Sequence, residues 1–226
     1  METTKSYIWS FVNRFLHIIL IVTFFGAFLI EDANVYLHSS LGIIFGVAVL
    51  MRIVWGVFGS RYSKLWDLKI SGIFAYFVSI LGEKKRYVGH NPASSLAIIL
   101  MLILGVMLVI SGFAEYAKEE HLGLFSGFSY STIHTLKELH EFSANALMLV
   151  VCVHICGVLV DKFYNKGDCL ESMISGYKKT QGDFSVRLNA AQKGLCAIYI
   201  VIFIALIAYL LEPNNILLGG VKNFAY

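Results

Sequence analysis

The amino-acid sequence predicts an all-α membrane protein, in which a four-helix transmembrane bundle is followed by a fifth, C-terminal transmembrane helix. Of the 226 residues, 58% are hydrophobic and only 15% are charged, and the mean hydropathy is +0.71. A chain of this length cannot bury so much apolar surface in one water-soluble core. Five apolar stretches are also long enough to cross a hydrocarbon core, which takes about 20 helical residues.

The five predicted membrane helices follow one another along the whole chain. We place them at residues 11–30, 38–58, 94–113, 141–160 and 193–211. The first is too long for the apolar region of a signal peptide and lacks a small-residue cleavage site, so we keep it as a membrane helix. Residues 61–91 contain only a short apolar stretch, flanked by Lys69 and by the run from Lys84 to Arg86. This pattern favours a helix that lies in the membrane interface.

The distribution of lysine and arginine predicts how the chain is oriented. If the N-terminus is cytoplasmic, all 18 of these residues except Lys118, Lys137 and Lys222 fall on the cytoplasmic side. Such an asymmetry follows the positive-inside rule. It predicts a multi-pass protein with a cytoplasmic N-terminus and a periplasmic C-terminus. We predict a membrane domain at residues 1–180, followed at 181–226 by the additional helix and a periplasmic tail.

Cysteine spacing and net charge exclude several classes of function. The four cysteines form neither the C-x-x-C-H motif of covalently attached haem nor the paired C-x-x-C motifs of zinc sites. The net charge is +3, and the basic residues are interleaved with membrane segments instead of forming one tract. We therefore set nucleic-acid binding aside.

Four of the seven histidines fall into two pairs at matched membrane depth. His17 and His154 each lie six residues from the predicted inner end of their helices, and His38 and His140 each lie at the outer end of theirs. The 14 residues from His140 to His154 return to nearly the same helix face, about 21 Å along the axis. Because unpaired polar rings are costly in a membrane, these histidines indicate a functional site.

Two stacked imidazole pairs inside a helical bundle suit two six-coordinate haems, each iron held by nitrogen from both sides. Two alternatives stay open at this point. A single histidine at a helix end is more often an interfacial residue than a ligand, and buried histidines also build transporters of metal ions or protons. The remaining histidines have no depth-matched partner, and we expect solvated or capping roles for His90, His121 and His134.

Five stretches of the chain carry a family resemblance. They are NRFLHIIL, HSSLGIIFGVAVLMRIVWG, RYVGHNPASSLAIILML, LHEFSANALMLVVCVHICGVLV and ESMISGYKK. Together they resemble the prokaryotic cytochrome b561 family, which is similar to the cytochrome b subunits of nickel-iron hydrogenases. The resemblance implies that His17 pairs with His154 at a cytoplasmic haem b, and that His38 pairs with His140 at a second haem b. The fifth helix departs from the four-helix core of that family.

The resemblance also implies a function and a location. It implies transmembrane electron transfer in the bacterial inner membrane, between the quinone pool (menaquinone or ubiquinone) and a periplasmic redox partner such as a hydrogenase or a c-type cytochrome. The chain would then be the cytochrome b subunit of an oxidoreductase, with quinone reductase or quinol oxidase activity as an option. A quinone-coupled superoxide oxidase that needs no protein partner is the alternative within redox chemistry.

Other residues are candidates for contacts with the haem propionates, with a quinone or with a partner. Propionates need cations or hydrogen-bond donors, which points to Arg14, Arg52 and Lys162 on the inner side and to Lys137, Ser131 and His134 on the outer side. A quinone site needs a proton donor or acceptor beside an apolar slot, and the candidates are Asn13, Arg14, Asp161 and His90.

Two further patterns carry predictions. The predicted outer loop, residues 114–139, is acidic through Glu115, Glu119, Glu120 and Glu138. We expect this loop to attract a partner with a basic docking face. Gly42 and Gly46 form a row of small residues on the second helix, which predicts close helix packing more than clearance for a porphyrin.

Overall fold

The structure is a computed structural model that describes residues 4–31, 33–80, 87–119 and 129–212. In this part of the chain the elements are β1 (Thr4–Tyr7), α1 (Phe11–Leu29), α2 (Val35–Phe58), α3 (Ile73–Ile80), α4 (Pro92–Glu119), α5 (Tyr130–Leu159), α6 (Cys169–Ser175), β2 (Tyr177–Thr180) and α7 (Ala190–Leu210). Short 3-10 turns occupy Arg61–Ser63 and Leu65–Asp67, and one π-helical turn, Val160–Tyr164, follows α5.

The five predicted membrane helices are confirmed as α1, α2, α4, α5 and α7. Each is long and apolar enough to cross a membrane. The predicted and observed ends of α1, α2 and α7 agree within three residues, because in these helices the apolar stretch and the helix coincide. The all-α membrane fold class is therefore confirmed.

The prediction of a loop over residues 114–139 is wrong for most of its length. α4 continues to Glu119, and α5 begins at Tyr130, ten residues before His140. The polar stretch from Tyr130 to His140 contains neither glycine nor proline, so it continues the helix beyond the apolar span. His140 therefore lies inside α5, not at its start. Glu120 and His121 lie outside the described residues.

The chain divides into two compact units, each assembled from three segments. The first unit is Met1–Leu16, Arg52–Ile103 and Leu147–Lys193, and the second is His17–Met51, Leu104–Ala146 and Gly194–Tyr226. The separation of a membrane domain at 1–180 from an addition at 181–226 stays a prediction. The tail, residues 213–226, lies outside the described residues.

A small antiparallel sheet belongs to the first unit and was not predicted. β1 pairs with β2, with Thr4 opposite Thr180 and Tyr7 opposite Tyr177. The buried Ser6 Oγ lies 2.6 Å from Thr180 Oγ1, although the two residues are 174 positions apart in the chain. Strands of four residues show almost no periodicity, so sequence patterns do not reveal a pairing over such a distance.

Within the segment 61–91, α3 is the predicted interfacial helix. Phe74 is 86% exposed and Val78 is 73% exposed. Apolar side chains that face away from the protein are expected of a helix that lies on lipid. Its place in the interface stays a prediction, and Lys84, Lys85 and Arg86 lie outside the described residues.

In the second unit, small residues let α2 and α4 approach each other. A Cβ atom at Gly46 would lie 2.9 Å from the Val109 side chain, and one at Gly105 would lie 3.4 Å from Val49. Both contacts are those of closely packed membrane helices. A Cβ atom at Gly42 would meet nothing within 4 Å. The predicted glycine row thus serves close packing at Gly46 but not at Gly42.

The additional helix α7 is joined to α2 by hydrogen bonds in each unit. In the second unit, the hydroxyl group of the buried Tyr199 donates to the carbonyl of Met51 at 2.9 Å. In the first unit, the side-chain amide of Gln192 donates to the carbonyl of Gly59 at 2.7 Å. Since Gly59 directly follows α2, this bond satisfies a carbonyl at the helix end.

Candidate functional site

His38 on α2 and His140 on α5 face each other in the second unit. Their ring centroids lie 6.1 Å apart, with 69° between the ring planes. Both residues are partly covered by the rest of the chain. The structure therefore brings together one of the two histidine pairs that the sequence predicted.

Backbone carbonyl groups hold the Nδ1 atom of each ring. His38 Nδ1 lies 3.0 Å from the carbonyl oxygen of Ala27, and His140 Nδ1 lies 3.0 Å from that of Leu108. A carbonyl oxygen can only accept a hydrogen bond, so each Nδ1 carries the proton. Each Nε2 then keeps its lone pair. This is the usual state of a metal-bound histidine, whose second nitrogen donates to the protein.

The carbonyl of Ala27 is available because α1 ends at Leu29. The last four carbonyls of a helix have no partner within it, and Ala27 is one of them; it accepts from the backbone N–H of Ile30 at 3.3 Å and keeps a second lone pair for His38. Leu108 lies inside α4, where the nearby Ser111 hydroxyl also comes within 3.3 Å of His140 Nδ1. Ser111 Oγ donates to the carbonyl of Met107 at 2.8 Å, so its lone pairs can accept from His140.

Gly112 leaves the space that the His140 ring occupies. A Cβ atom at this position would lie 2.6 Å from Cε1 and 2.8 Å from Nδ1 of the ring. Sequence reasoning found none of Ala27, Leu108, Ser111 and Gly112. The two carbonyl groups carry no side-chain signal, but the Ser-Gly pair on α4 is a sequence feature that could have indicated room for a ring.

The spacing of the two rings fits a metal ion held between them. A metal–imidazole bond of about 2 Å, plus about 1 Å to the ring centre, puts two opposed rings roughly 6 Å apart. The 6.1 Å separation matches that value. Two imidazole nitrogens would hold the iron of a haem, so the residues present fit that group.

His17 and His154, the other predicted pair, lie on α1 and α5 and are partly covered. His17 belongs to the second unit and His154 to the first. Their pairing stays a prediction from the sequence.

Asn13 belongs to a buried polar network in the first unit. Ser63 Oγ donates to Asn13 Oδ1 at 3.0 Å and accepts from Trp55 Nε1 at 3.1 Å. Because its one proton is used on Asn13, the Ser60 hydroxyl, 2.6 Å away, donates to Ser63. Asn13 therefore already holds a structural bond between α1 and the turn after α2.

The two predicted arginines both contact backbone carbonyl groups of the first unit. Arg14 Nη1 donates to Ile174 at 2.8 Å, and Arg52 Nη1 donates to Ser63 at 3.3 Å. The Nε atom of Arg14 is buried and has no hydrogen-bond partner among the described residues. Arg14 thus retains a donor for an anionic group such as a propionate.

Asp161 and Lys162 organise the turn after α5. Asp161 Oδ2 accepts from the backbone N–H of Cys169 at 3.2 Å, and the Asp161 carbonyl accepts from Gly167 at 2.9 Å. Lys162 forms an ion pair with Glu171. Both side chains are therefore held by contacts within their own segment.

His90 packs against the ring of Trp9 in the first unit, with 4.8 Å between the ring centroids. Trp9 is held in turn because its Nε1 donates to Ser172 Oγ at 3.2 Å. Burial and the positive charges of Arg52 and Lys178 lower the pKa of His90 to about 3. The His90 ring is therefore neutral at physiological pH, and the indole ring of Trp9 covers one side of it.

The predicted outer propionate contacts are exposed side chains on α5. Lys137 and Ser131 are exposed, and Ser131 Oγ lies 2.9 Å from Ser129 Oγ. His134 Nδ1 lies 3.5 Å from a carboxylate oxygen of Glu138, one helical turn away. His134 is thus an exposed helix residue, in agreement with a solvated role.

Two histidine rings about 6 Å apart, on helices long enough to cross a membrane, are typical of membrane cytochromes that hold haem between imidazole groups. A family model described as prokaryotic cytochrome b561 matches residues 8–176 of the chain. The chain belongs to the prokaryotic cytochrome b561 family. It is therefore a b-type cytochrome of membrane electron transport.

Curated relatives carry names of one kind. A probable Ni/Fe-hydrogenase 1 B-type cytochrome subunit of Escherichia coli (strain K12) is 24% identical over 161 residues, which are 63% of this chain and 68% of the relative. A probable Ni/Fe-hydrogenase B-type cytochrome subunit of Rhodobacter capsulatus is 23% identical over 211 residues, 78% and 79% of the two chains. One from Cupriavidus necator is 22% identical over 204 residues, 76% and 83%. No solved structure matches the chain.

Proposed function

We propose that this chain transfers electrons across a bacterial inner membrane through two b-type haems, between the quinone pool and a hydrogenase. The proposal rests on one observation above the others. His38 and His140 face each other at the separation that a shared metal requires, and a backbone carbonyl fixes the proton of each ring on Nδ1. A haem bound there supplies a one-electron redox centre with no open coordination position.

The second haem is proposed from the sequence, with His17 and His154 as its ligands. Their matched depth and the family resemblance support this assignment. Arg14 supports it in the first unit, because its buried Nε–H has no partner among the described residues and can donate to a propionate. Arg52 is the second candidate for that role.

For the quinone we propose His90 as the contact, in preference to Asn13, Arg14 and Asp161. Asn13 and Asp161 already accept hydrogen bonds that hold the fold, and Arg14 is better suited to an anion. His90 is neutral and packs on Trp9, so it offers a hydrogen-bonding nitrogen beside an aromatic wall. The quinone can be menaquinone or ubiquinone.

The partner and the orientation are proposed from the relatives and from charge. The relatives are named as hydrogenase cytochrome subunits, which supports a hydrogenase as the redox partner of this chain. The bias of lysine and arginine supports a cytoplasmic N-terminus and a periplasmic C-terminus. The acidic docking face would include the partly exposed Glu115, near the end of α4, and the exposed Glu138, in the third turn of α5.

Haem content per chain tests the proposal. We expect two haems per purified chain, and a reduced-minus-oxidised spectrum typical of a b-type cytochrome. His38→Ala and His140→Ala should each remove the same single haem, whereas His17→Ala and His154→Ala should each remove the other. His134→Ala is the matched control, because His134 lies on the same helix as His140 but is exposed.

Two results would contradict the assignment. A colourless wild-type protein would favour transport of ions over electron transfer. Two full haems in His140→Ala would show that this ring is not a ligand. Co-purification from the native membrane tests the partner separately, and an activity assay with superoxide and quinone tests the alternative. If no hydrogenase co-purifies and the isolated chain oxidises superoxide with quinone alone, the partner-free alternative is favoured.

A further inference from the structure

A cavity of about 410 Å³ opens in the first unit, and no histidine is among its lining residues. It lies between the turn that follows α2 and the segment that leads into α7. Ser60 and Arg61 line one side, and Asp183, Arg187 and Gln192 line the other. The volume falls in the range of small-molecule sites, which is about 300–1,000 Å³.

The cavity carries a net positive charge. Arg61 and Arg187 are exposed, and within the described residues neither forms an ion pair. The one acid in the lining, Asp183, accepts a hydrogen bond from the backbone N–H of Ser185 at 2.9 Å. Two guanidinium groups outnumber the single carboxylate of the lining, so the cavity favours an anion with several acceptor oxygens, since arginine binds phosphate through two parallel hydrogen bonds.

The cavity also lies where two membrane helices begin or end. α2 ends at Phe58 and α7 begins at Ala190, and Gln192 joins the two by donating to the carbonyl groups of Phe58 and Gly59 at 3.1 and 2.7 Å. Phe184, which lines the cavity, is 42% exposed, and Phe58, whose carbonyl accepts from the lining residue Gln192, is 64% exposed. An occupant would therefore meet positive charge and apolar surface together.

We propose that this cavity binds the phosphate headgroup of an anionic membrane phospholipid, with Arg61 and Arg187 on the phosphate and the acyl chains along Phe58 and Phe184. A free phosphate ion shares the first contact but not the second. Basic pockets beside membrane helices bind anionic headgroups in this way. The fifth helix then has a role of its own, because the segment that leads into it builds half of the site.

Native mass spectrometry of the whole haem-loaded chain in detergent tests the proposal. The probes are phosphatidylglycerol, phosphatidylcholine and inorganic phosphate, added separately. We expect phosphatidylglycerol to bind most tightly. Arg61→Gln with Arg187→Gln should weaken that binding roughly 30-fold, at about fivefold for each charge near the membrane surface. An unchanged haem spectrum shows that the variant is folded.

A matched double variant separates this site from general attraction to the membrane surface. Lys179→Gln with Lys193→Gln removes the same charge from exposed residues that do not line the cavity, so binding of phosphatidylglycerol should stay within about twofold of wild type. Equal losses in both double variants overturn the proposal, as does no loss in the arginine variant. Binding of inorganic phosphate as tight as that of the lipid overturns the lipid as occupant.

Discussion

Replacement of Gly112 by alanine is the sharpest test of the His38–His140 site, because it displaces a proposed ligand without removing it. The new Cβ atom would lie 2.6 Å from Cε1 of His140, whereas ordinary contacts begin at 3.4 Å. The ring must therefore move by about 0.8 Å. The ring cannot rotate away freely, since its Nδ1 is bound to the Leu108 carbonyl at 3.0 Å.

Such a displacement weakens the metal bond without abolishing it. Changes in the residues that orient a metal ligand typically lower metal affinity about 10–100-fold. Because affinity changes appear mostly in dissociation rates, one of the two proposed haems should leave Gly112→Ala at least about tenfold faster than it leaves wild type. Transfer of haem to excess apomyoglobin, followed by absorbance, measures this rate, and the second haem should leave at the wild-type rate.

Gly194→Ala is the control for the same chemical change, because a Cβ atom at Gly194 meets nothing within 4 Å. It should leave both haem release rates unchanged. If Gly112→Ala releases haem no faster than wild type, the position of His140 relative to α4 is not what holds the haem, and the reasoning from the Gly112 contact fails.

Two further predictions concern the contacts that hold the bundle. Ser63→Ala removes the shared partner of the buried Trp55 Nε1 and Asn13 Oδ1, so the free energy of unfolding should fall by about 1–3 kcal/mol, measured in detergent by tryptophan fluorescence. The control Ser131→Ala, at an exposed residue, should change it by less than about 0.5 kcal/mol. An equal loss in the control would contradict the network. Tyr199→Phe removes the hydrogen bond to the Met51 carbonyl, so the free energy of unfolding should fall by about 0.5–1.5 kcal/mol while the haem content stays unchanged. The control Tyr130→Phe, whose side chain is 85% exposed, should have no effect. No loss in Tyr199→Phe would show that this bond does not hold α7.

The membrane helices and the opposed pair His38 and His140 were accessible from the sequence because both leave local signals. A run of about 20 consecutive apolar residues is rare outside membrane helices, and α1, α2 and α7 were predicted within three residues of their ends. Histidines within such stretches are conspicuous because a polar ring there needs a partner. The polar extensions of α4 and α5 were missed because hydropathy identifies only the residues inside the hydrocarbon core, whereas a helix can continue beyond it.

The supporting contacts were not accessible, since they depend on which backbone atoms meet a side chain. The carbonyl groups of Ala27 and Leu108 look like those of any other residue in sequence, and they become acceptors for His38 and His140 only when α1 ends and α4 packs as they do. The β1–β2 pairing likewise joins residues 174 positions apart.

The sequence by itself determined that this protein resides in a membrane, how many membrane helices it has and which histidines are the candidates for a site. These follow from hydrophobicity and residue type, which are properties of the chain alone. Only the tertiary structure decided that His38 and His140 meet at 6.1 Å, that both rings carry their proton on Nδ1, and that Gly112 makes room for one of them. The physical reason is that distance and hydrogen-bond direction between separate helices arise from packing, which no single segment encodes.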